Sequence, residues 1–179
     1  MAYNNKVFIA TSLDGYIADK NGNIDWLNDI PNPDNEDMGY NAFIENIDAL
    51  VMGRATFEKV LSFGIEWPYG VPVFVASHTM TEVPEGYESK VELVAGSPSS
   101  ILETIREKGH KNLYIDGGKL IQAFLNEDLI DEICISTIPI LLGGGFPLFG
   151  QLKEPLKFEL IKTDTYLSQL TQSKYRRKR

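Results

Sequence analysis

"LVMGRATFEKV", residues 50–60, is the stretch on which the fold turns. Leu50, Val51 and Met52 form a continuous apolar run, the pattern of a strand buried on both faces, and such strands belong to parallel sheets covered by helices on either side. Gly53 then lets the chain turn, Arg54 offers a cation, and Thr56 stands in the first turn of an expected helix. These three residue types suit an anion: a helix start supplies unpaired amides, and a guanidinium can grip a phosphate through two N–H groups.

The same alternation continues in both directions. "KVFIATS" precedes it as a strand, and "VPVFVAS", "VELVAG", "NLYIDG" and "EICISTIPIL" follow as further strands. Between them, Tyr40, Phe43, Ile44 and Ile47 recur at helical spacing. "SPSSILETIREKG" opens with Ser97 and Pro98 as N-cap and N1 and closes on Gly109, and "KLIQAFLNE" presents Leu120, Ile121, Phe124 and Leu125 on one side. After Gly145 two extended runs, within "LKFELIKTDTYLSQLTQSKYR", follow without a helix between them, which predicts an antiparallel hairpin. The expected fold class is α/β: a mixed, mostly parallel sheet ending in that hairpin. Residues 1–175 are expected to form one domain, with 176–179 as a basic, solvated tail that has no assigned role.

Composition narrows the function. A chain of 179 residues with 43% hydrophobic residues can bury one substantial core. Its formal charge of -8 argues against a general nucleic-acid surface, which needs clustered cations. There is no basic-then-apolar leader and no apolar run long enough to span a bilayer, so neither membrane nor secretion is expected and the cytoplasm is the expected location. One cysteine, Cys134, and two histidines, His78 and His110, allow no disulfide and no zinc site of the usual composition. No metal is expected.

Several familiar ligand motifs fail on spacing. "GGGFPLFG" has Leu148 where a dinucleotide fingerprint needs its third glycine. Gly118-Lys119 lacks both the earlier glycine and the following hydroxyl of a phosphate P-loop. "DKNGNIDWLNDI" carries Ile24 and Ile30 where a calcium loop needs glycine and glutamate. Three glycine-bearing strand exits remain: Gly53-Arg54, Gly117-Gly118 and Gly143-Gly144-Gly145. In open α/β sheets, ligands collect at the carboxyl ends of the strands.

Taken together, "VFIATSLDGYIADKNGNIDWL", "DALVMGRATFE", "LYIDGGKLIQAFL" and "IPILLGGGFPLF" resemble the dihydrofolate-reductase-like superfamily over nearly the whole chain. They look most like the branch typified by the reductase domain of the bifunctional riboflavin-biosynthesis deaminase/reductase. The resemblance implies a three-layer α/β/α sandwich and an NADPH-dependent reductase. By its pattern Arg54 would sit near the cofactor 2'-phosphate and Thr56, after Gly53, near the pyrophosphate. Gly117 and Gly118, often joined by a cis peptide in that superfamily, would lie beside the pyrophosphate, with Lys119 and Leu120 opening the helix that points at it. Ala10 and Ile17 would touch the nicotinamide, and Ser77 and His78 the adenosine half.

Leu13 to Leu27 looks like the loop that closes over nicotinamide and substrate, with Trp26 as loop anchor or pocket wall. Ser136 and Ile138 match pocket positions. A helix carboxylate ahead of the Gly-Arg strand orients the pterin in dihydrofolate reductases. Asp37 matches it in distance and shares a helix face with Tyr40 and Ile44, while Glu36 fits nearly as well, and either acid can be only an N-terminal charge. The implied reaction is hydride transfer to the ribosyl carbon of an aminouracil ribosyl phosphate, with a folate or pterin C=N as the alternative, a non-catalytic nucleotide-binding module as another, and a homodimer as the expected assembly.

Overall fold

The structure is a computed structural model and describes residues 2–179. In chain order the strands are β1 (Asn4–Ser12), β2 (Tyr16–Ala18), β3 (Ala49–Gly53), β4 (Val73–Ala76), β5 (Val91–Val94), β6 (Asn112–Asp116), β7 (Glu132–Ile138), β8 (Phe146–Pro147), β9 (Phe158–Tyr166) and β10 (Leu170–Arg177). The helices are α1 (Tyr40–Ile44), α2 (Arg54–Ser62), α3 (Pro98–Glu107) and α4 (Gly118–Asn126), and a short 3-10 turn spans Asp25–Asn28.

Eight strands form one sheet in the order β5-β4-β3-β6-β1-β7-β10-β9. The first six run parallel and β10 pairs antiparallel with both β7 and β9. This is the expected mixed sheet with its terminal hairpin. β3, in the heart of the parallel part, buries Ala49, Leu50, Val51 and Met52 completely, which is why its sequence shows no alternation of polar and apolar residues.

Each face of the sheet has its own apolar layer. On one side Ile101, Leu102 and Ile105 of α3 and Ile121, Phe124 and Leu125 of α4 pack with Val51, Leu113 and Ile115. On the other, Phe57 of α2, with Tyr40 and Phe43 of α1, packs with Leu50, Met52, Val75 and Tyr114. The molecule is thus a three-layer α/β/α sandwich. Ser97 caps α3 through its hydroxyl, which accepts the Ser100 amide at 3.3 Å, and Pro98 takes the first helical position, as the sequence predicts.

Two elements escape the hydrophobic pattern because they are too short to carry one. β2 and β8 pair as a separate two-stranded ribbon over the carboxyl end of the main sheet. The basic tail also departs from expectation. β10 continues to Arg177, whose guanidinium meets Asp128 at 2.6 Å, and Arg179 meets Asp131 at 2.7 Å. Acids following α4 thus hold the tail against the body rather than leaving it in solvent. Among the described residues no helix is long and apolar enough to cross a membrane.

Candidate functional site

The three glycine exits open at the carboxyl ends of their strands, and two of them meet. A Cβ built on Gly117, whose φ is +98°, would lie 2.5 Å from Thr56 Oγ1 and 3.8 Å from the Gly53 amide nitrogen. The starts of α2 and α4 therefore adjoin across the neighbouring strands β3 and β6. Neither helix has a side-chain cap, so both present unpaired first-turn amides to the same space. The Gly117–Gly118 bond is trans, since the described chain has no cis peptide, and this corrects the cis geometry expected from the resemblance.

Arg54 leaves this junction along the surface. Its Nε donates to Glu58 Oε1 at 2.7 Å and its Nη1 to Thr79 Oγ1 at 2.9 Å. Ser77 closes the turn after β4, where its hydroxyl accepts the amides of Thr79 and Met80. Arg54, Ser77 and Thr79 thus form one hydrogen-bonded rim, with His78 exposed beside it. Sequence reading missed Thr79.

The other face of Gly118 meets the ribbon: a Cβ there would lie 2.8 Å from Ile17 Cδ1 and 3.3 Å from Pro147 O. Lys119 is exposed, while the Leu120 side chain turns under α4 against the core, leaving only its backbone toward the junction. Ala10, on β1, is partly buried against the apolar cluster at the β7 end.

The segment expected to be a closing loop is tied down. Asp14 accepts the Ser12 hydroxyl at 2.6 Å and the amides of Leu142 and Gly143 at 3.1 and 2.8 Å. The Ser12 hydroxyl first, and these amides after it, hold its carboxyl below the usual range. Gly145 packs directly on the Ala18 carbonyl, where no Cβ would fit. The third glycine exit therefore seats the loop. Trp26, expected to anchor the loop or wall the pocket, is buried with Ile30, Ile138 and Leu170, and its indole N–H donates to the Asn23 carbonyl at 3.2 Å. It anchors the loop. Ile138 belongs to the same cluster, and Ser136 is buried with its hydroxyl accepting Gln172 Nε2 at 2.9 Å.

Asp37 does not occupy the position expected of it. α1 begins only at Tyr40, so Asp37 lies before the helix and is exposed. Its two oxygens accept the amides of Asn41 and Gly39 at 2.9 and 3.0 Å, bonds that lower its pKa. It is a helix-start carboxylate, and Glu36 is exposed as well.

The carboxylate inside the site is Asp116, the last residue of β6, which sequence reading passed over. Its Oδ1 accepts the Gly117 amide at 2.9 Å; among the described residues its other oxygen accepts no hydrogen bond. Burial raises its carboxyl to about 6, against a single lowering contribution from Gly117. Its charge reaches Tyr40, Tyr69 and Tyr114, all raised by burial first and by Asp116 second. Tyr114 is already committed, donating to the Phe8 carbonyl at 2.8 Å. Phe8 packs edge-on with Tyr40 at 5.7 Å and beside Phe43 at 4.9 Å. An acid ending an apolar strand, just before Gly-Gly in "LYIDGG", is the signal that could have found this group.

Two concavities lie among the described residues, the first of them lined in part by Tyr69. One of about 470 Å³ opens where β4 and β5 begin, lined by Trp67, Val73 and Val91, away from the glycines. A second of about 260 Å³, between α1 and the hairpin, is lined by Lys6, Glu132, Lys162 and Lys174.

Comparison with known proteins agrees with this fold. Residues 6–171 match the family described as the RibD C-terminal domain. The crystal structure of a protein named as a candidate riboflavin biosynthesis protein, from Shewanella sp. PV-4, is 59% identical, with full coverage of both chains and a TM-score of 0.96. The diaminohydroxyphosphoribosylaminopyrimidine deaminase/5-amino-6-(5-phosphoribosylamino)uracil reductase of Thermotoga maritima shares the fold at 17% identity and a TM-score of 0.76. There the match covers 99% of this chain and 57% of that one. Dihydrofolate reductase of Enterococcus faecalis, solved with NADP(H), shares it at 17% identity and a TM-score of 0.69, over 98% and 97% of the two chains. With the fold and the family match in agreement, the chain belongs to the RibD C-terminal domain family.

Proposed function

We propose that the protein is an NADPH-dependent reductase that transfers hydride to the carbonyl or imine carbon of a ribosyl or heterocyclic substrate. The observation that carries this reading is the contact between Gly117 and Thr56, which sets two uncapped helix starts against one space with Arg54 at its edge. That arrangement fits the two ends of the cofactor: amides and the Thr56 hydroxyl for the pyrophosphate, and the Arg54–Thr79 rim for the 2'-phosphate.

The bound nicotinamide would supply the hydride. The chain's own part is to hold the ring in place, exclude water and deliver a proton. Ile17 and the tied loop cover the Gly118 side, and Asp116 can carry a proton near neutrality because burial raises it to about 6. Ser136 and Ile138 lie at the end of β7. For the reaction implied by the family resemblance, the acceptor is the ribosyl carbon of an aminouracil.

Calorimetric titration with NADPH and NADH tests the reading, followed by loss of reduced-nicotinamide absorbance with aminouracil and pterin substrates. Binding that favours NADPH, with turnover on one substrate class, is the expected result. Tight binding without any oxidation would make the protein a nucleotide-binding module, and absence of binding would remove both readings. A cytoplasmic homodimer completes the proposal, and sedimentation at two protein concentrations tests the dimer.

A further inference from the structure

The hairpin side of the sheet carries a charged floor that α1 leaves open. Register sets Lys6 opposite Glu132, Cys134 between Phe8 and Lys174, and Lys162 opposite Lys174, so these side chains share the face on which α1 packs. α1 rests Tyr40 and Phe43 on Phe8 of β1. It is five residues long and a helix is only about 10 Å across, whereas β9 lies three strand spacings, roughly 14 Å, beyond β1. What remains is the cavity of about 260 Å³ between α1 and the hairpin. The chain before α1 closes one end of it: the Met38 carbonyl accepts Gln172 Nε2 at 3.0 Å, and a Cβ on Gly39 would lie 3.8 Å from the Tyr166 hydroxyl.

The charges around this cavity do not balance. Lys6, Lys162 and Lys174 line it against two carboxylates, Glu132 and Asp164. Asp164 meets Lys162 at 2.9 Å. Glu132 is shared three ways, with Lys174 at 3.1 Å, Arg176 at 3.5 Å and Lys6 at 3.9 Å. Glu159 stands opposite Arg176 across the hairpin and can offset that cation from outside the cavity, but within the lining three lysines still face two acids. Lys162 and Lys174 moreover lie directly across from each other on neighbouring strands, a juxtaposition of like charges that is unfavourable in itself. In a chain of formal charge -8 this excess of cations is local, and it faces a concavity.

Opposite the lysines the wall is apolar, made by Phe8, Phe43 and Ala42. We propose that this cavity binds a small organic anion, with a carboxylate or phosphate head seated between Lys162 and Lys174 and a flat apolar body laid against Phe8 and Phe43. The volume limits the ligand to about one ring with its head, since a cavity of about 150 Å³ already takes benzene. The place is distinct from the glycine junction, because Gly53, Arg54, Thr56 and Gly117 do not line it and its β1 residues come from the first half of that strand. Binding here does not depend on the reductase reading.

Calorimetry on the full chain without added nucleotide tests the site, using benzoate and phenyl phosphate with benzylamine and inorganic phosphate as counterparts. One or both aryl anions should bind with a Kd of about 1 mM or tighter, at least about tenfold ahead of benzylamine and inorganic phosphate. The tighter of the two identifies the head. Lys162→Met and Lys174→Met, both on the solvent side of the hairpin, should each weaken that binding at least about threefold while the melting temperature is retained. Lys90→Met, in the other cavity, should not. Absence of binding by either aryl anion overturns the site, as does equal binding of benzylamine or of inorganic phosphate. So does aryl-anion binding that is insensitive to both hairpin lysines or that follows Lys90 instead.

Discussion

Gly117 approaches Thr56 so closely that a Cβ on the glycine would stand 2.5 Å from the threonine hydroxyl. Helix α4 can begin beside helix α2 only because residue 117 has no side chain and adopts a φ of +98°. Gly117→Ala should therefore both strain the backbone and separate the two helix starts. We expect a stability loss of about 1–3 kcal/mol, read by urea unfolding, and a larger proportional loss of NADPH affinity. Unchanged cofactor affinity in a folded variant would remove Gly117 from the site.

The guanidinium of Arg54 is shared between Glu58 and Thr79 at the surface. If it binds the 2'-phosphate, Arg54→Ala should weaken NADPH about tenfold, roughly 1.4 kcal/mol, and leave NADH nearly unaffected. Glu58→Gln should strengthen NADPH modestly at low salt by releasing the guanidinium from a surface pair worth about 0.3–0.5 kcal/mol. Equal weakening of both cofactors by Arg54→Ala would contradict the assignment.

Asp116 has a definite pH signature. Its folded pKa of about 6 lies above the ordinary 3.8, so the folded state holds this proton more tightly than the unfolded chain. The contribution to stability is thus fullest below 3.8 and is lost as pH rises through about 6. Asp116→Asn should flatten that part of the stability profile and stabilise the protein near neutrality by up to about 3 kcal/mol. It should also lower kcat and abolish the limb of the rate profile that falls above about pH 6.

Asp37 should behave as a structural acid. Its pKa is lowered by the Asn41 and Gly39 amides, so the stability it provides is present above 3.8 and disappears as pH falls through the lowered value. Asp37→Ala should reduce the melting temperature at neutral pH and converge with the parent in strong acid. Its kcat/KM should stay close to the parent value, and a large loss without a matching loss of stability would return Asp37 to the site.

Arg177 is nearly buried, binding Asp128 through Nε and Nη2 and the Lys157 carbonyl through Nη1. Arg177→Ala should cost about 1.5–3 kcal/mol in chemical unfolding, because charge-assisted hydrogen bonds are lost at a partly buried place. Cofactor binding, at the far end of the sheet, should not change.

The sandwich and the glycine-bearing strand exits were readable from local pattern. Apolar runs such as Leu50 to Met52, helical spacing such as Ile101 to Ile105, and glycines at strand exits are properties of neighbouring residues, and backbone geometry follows from them directly. The acids were different. Asp37 and Asp116 are both acids near glycines, and only the packing shows which is the less exposed: α1 starts too late to carry Asp37 inward, while β6 ends on Asp116 at the glycine junction. Trp26 as an anchor, the loop tied by Asp14 and the tail held by Asp128 and Asp131 likewise depend on partners remote in the chain. A side chain's charge state and role are set by what surrounds it, and that is decided only when the segments meet.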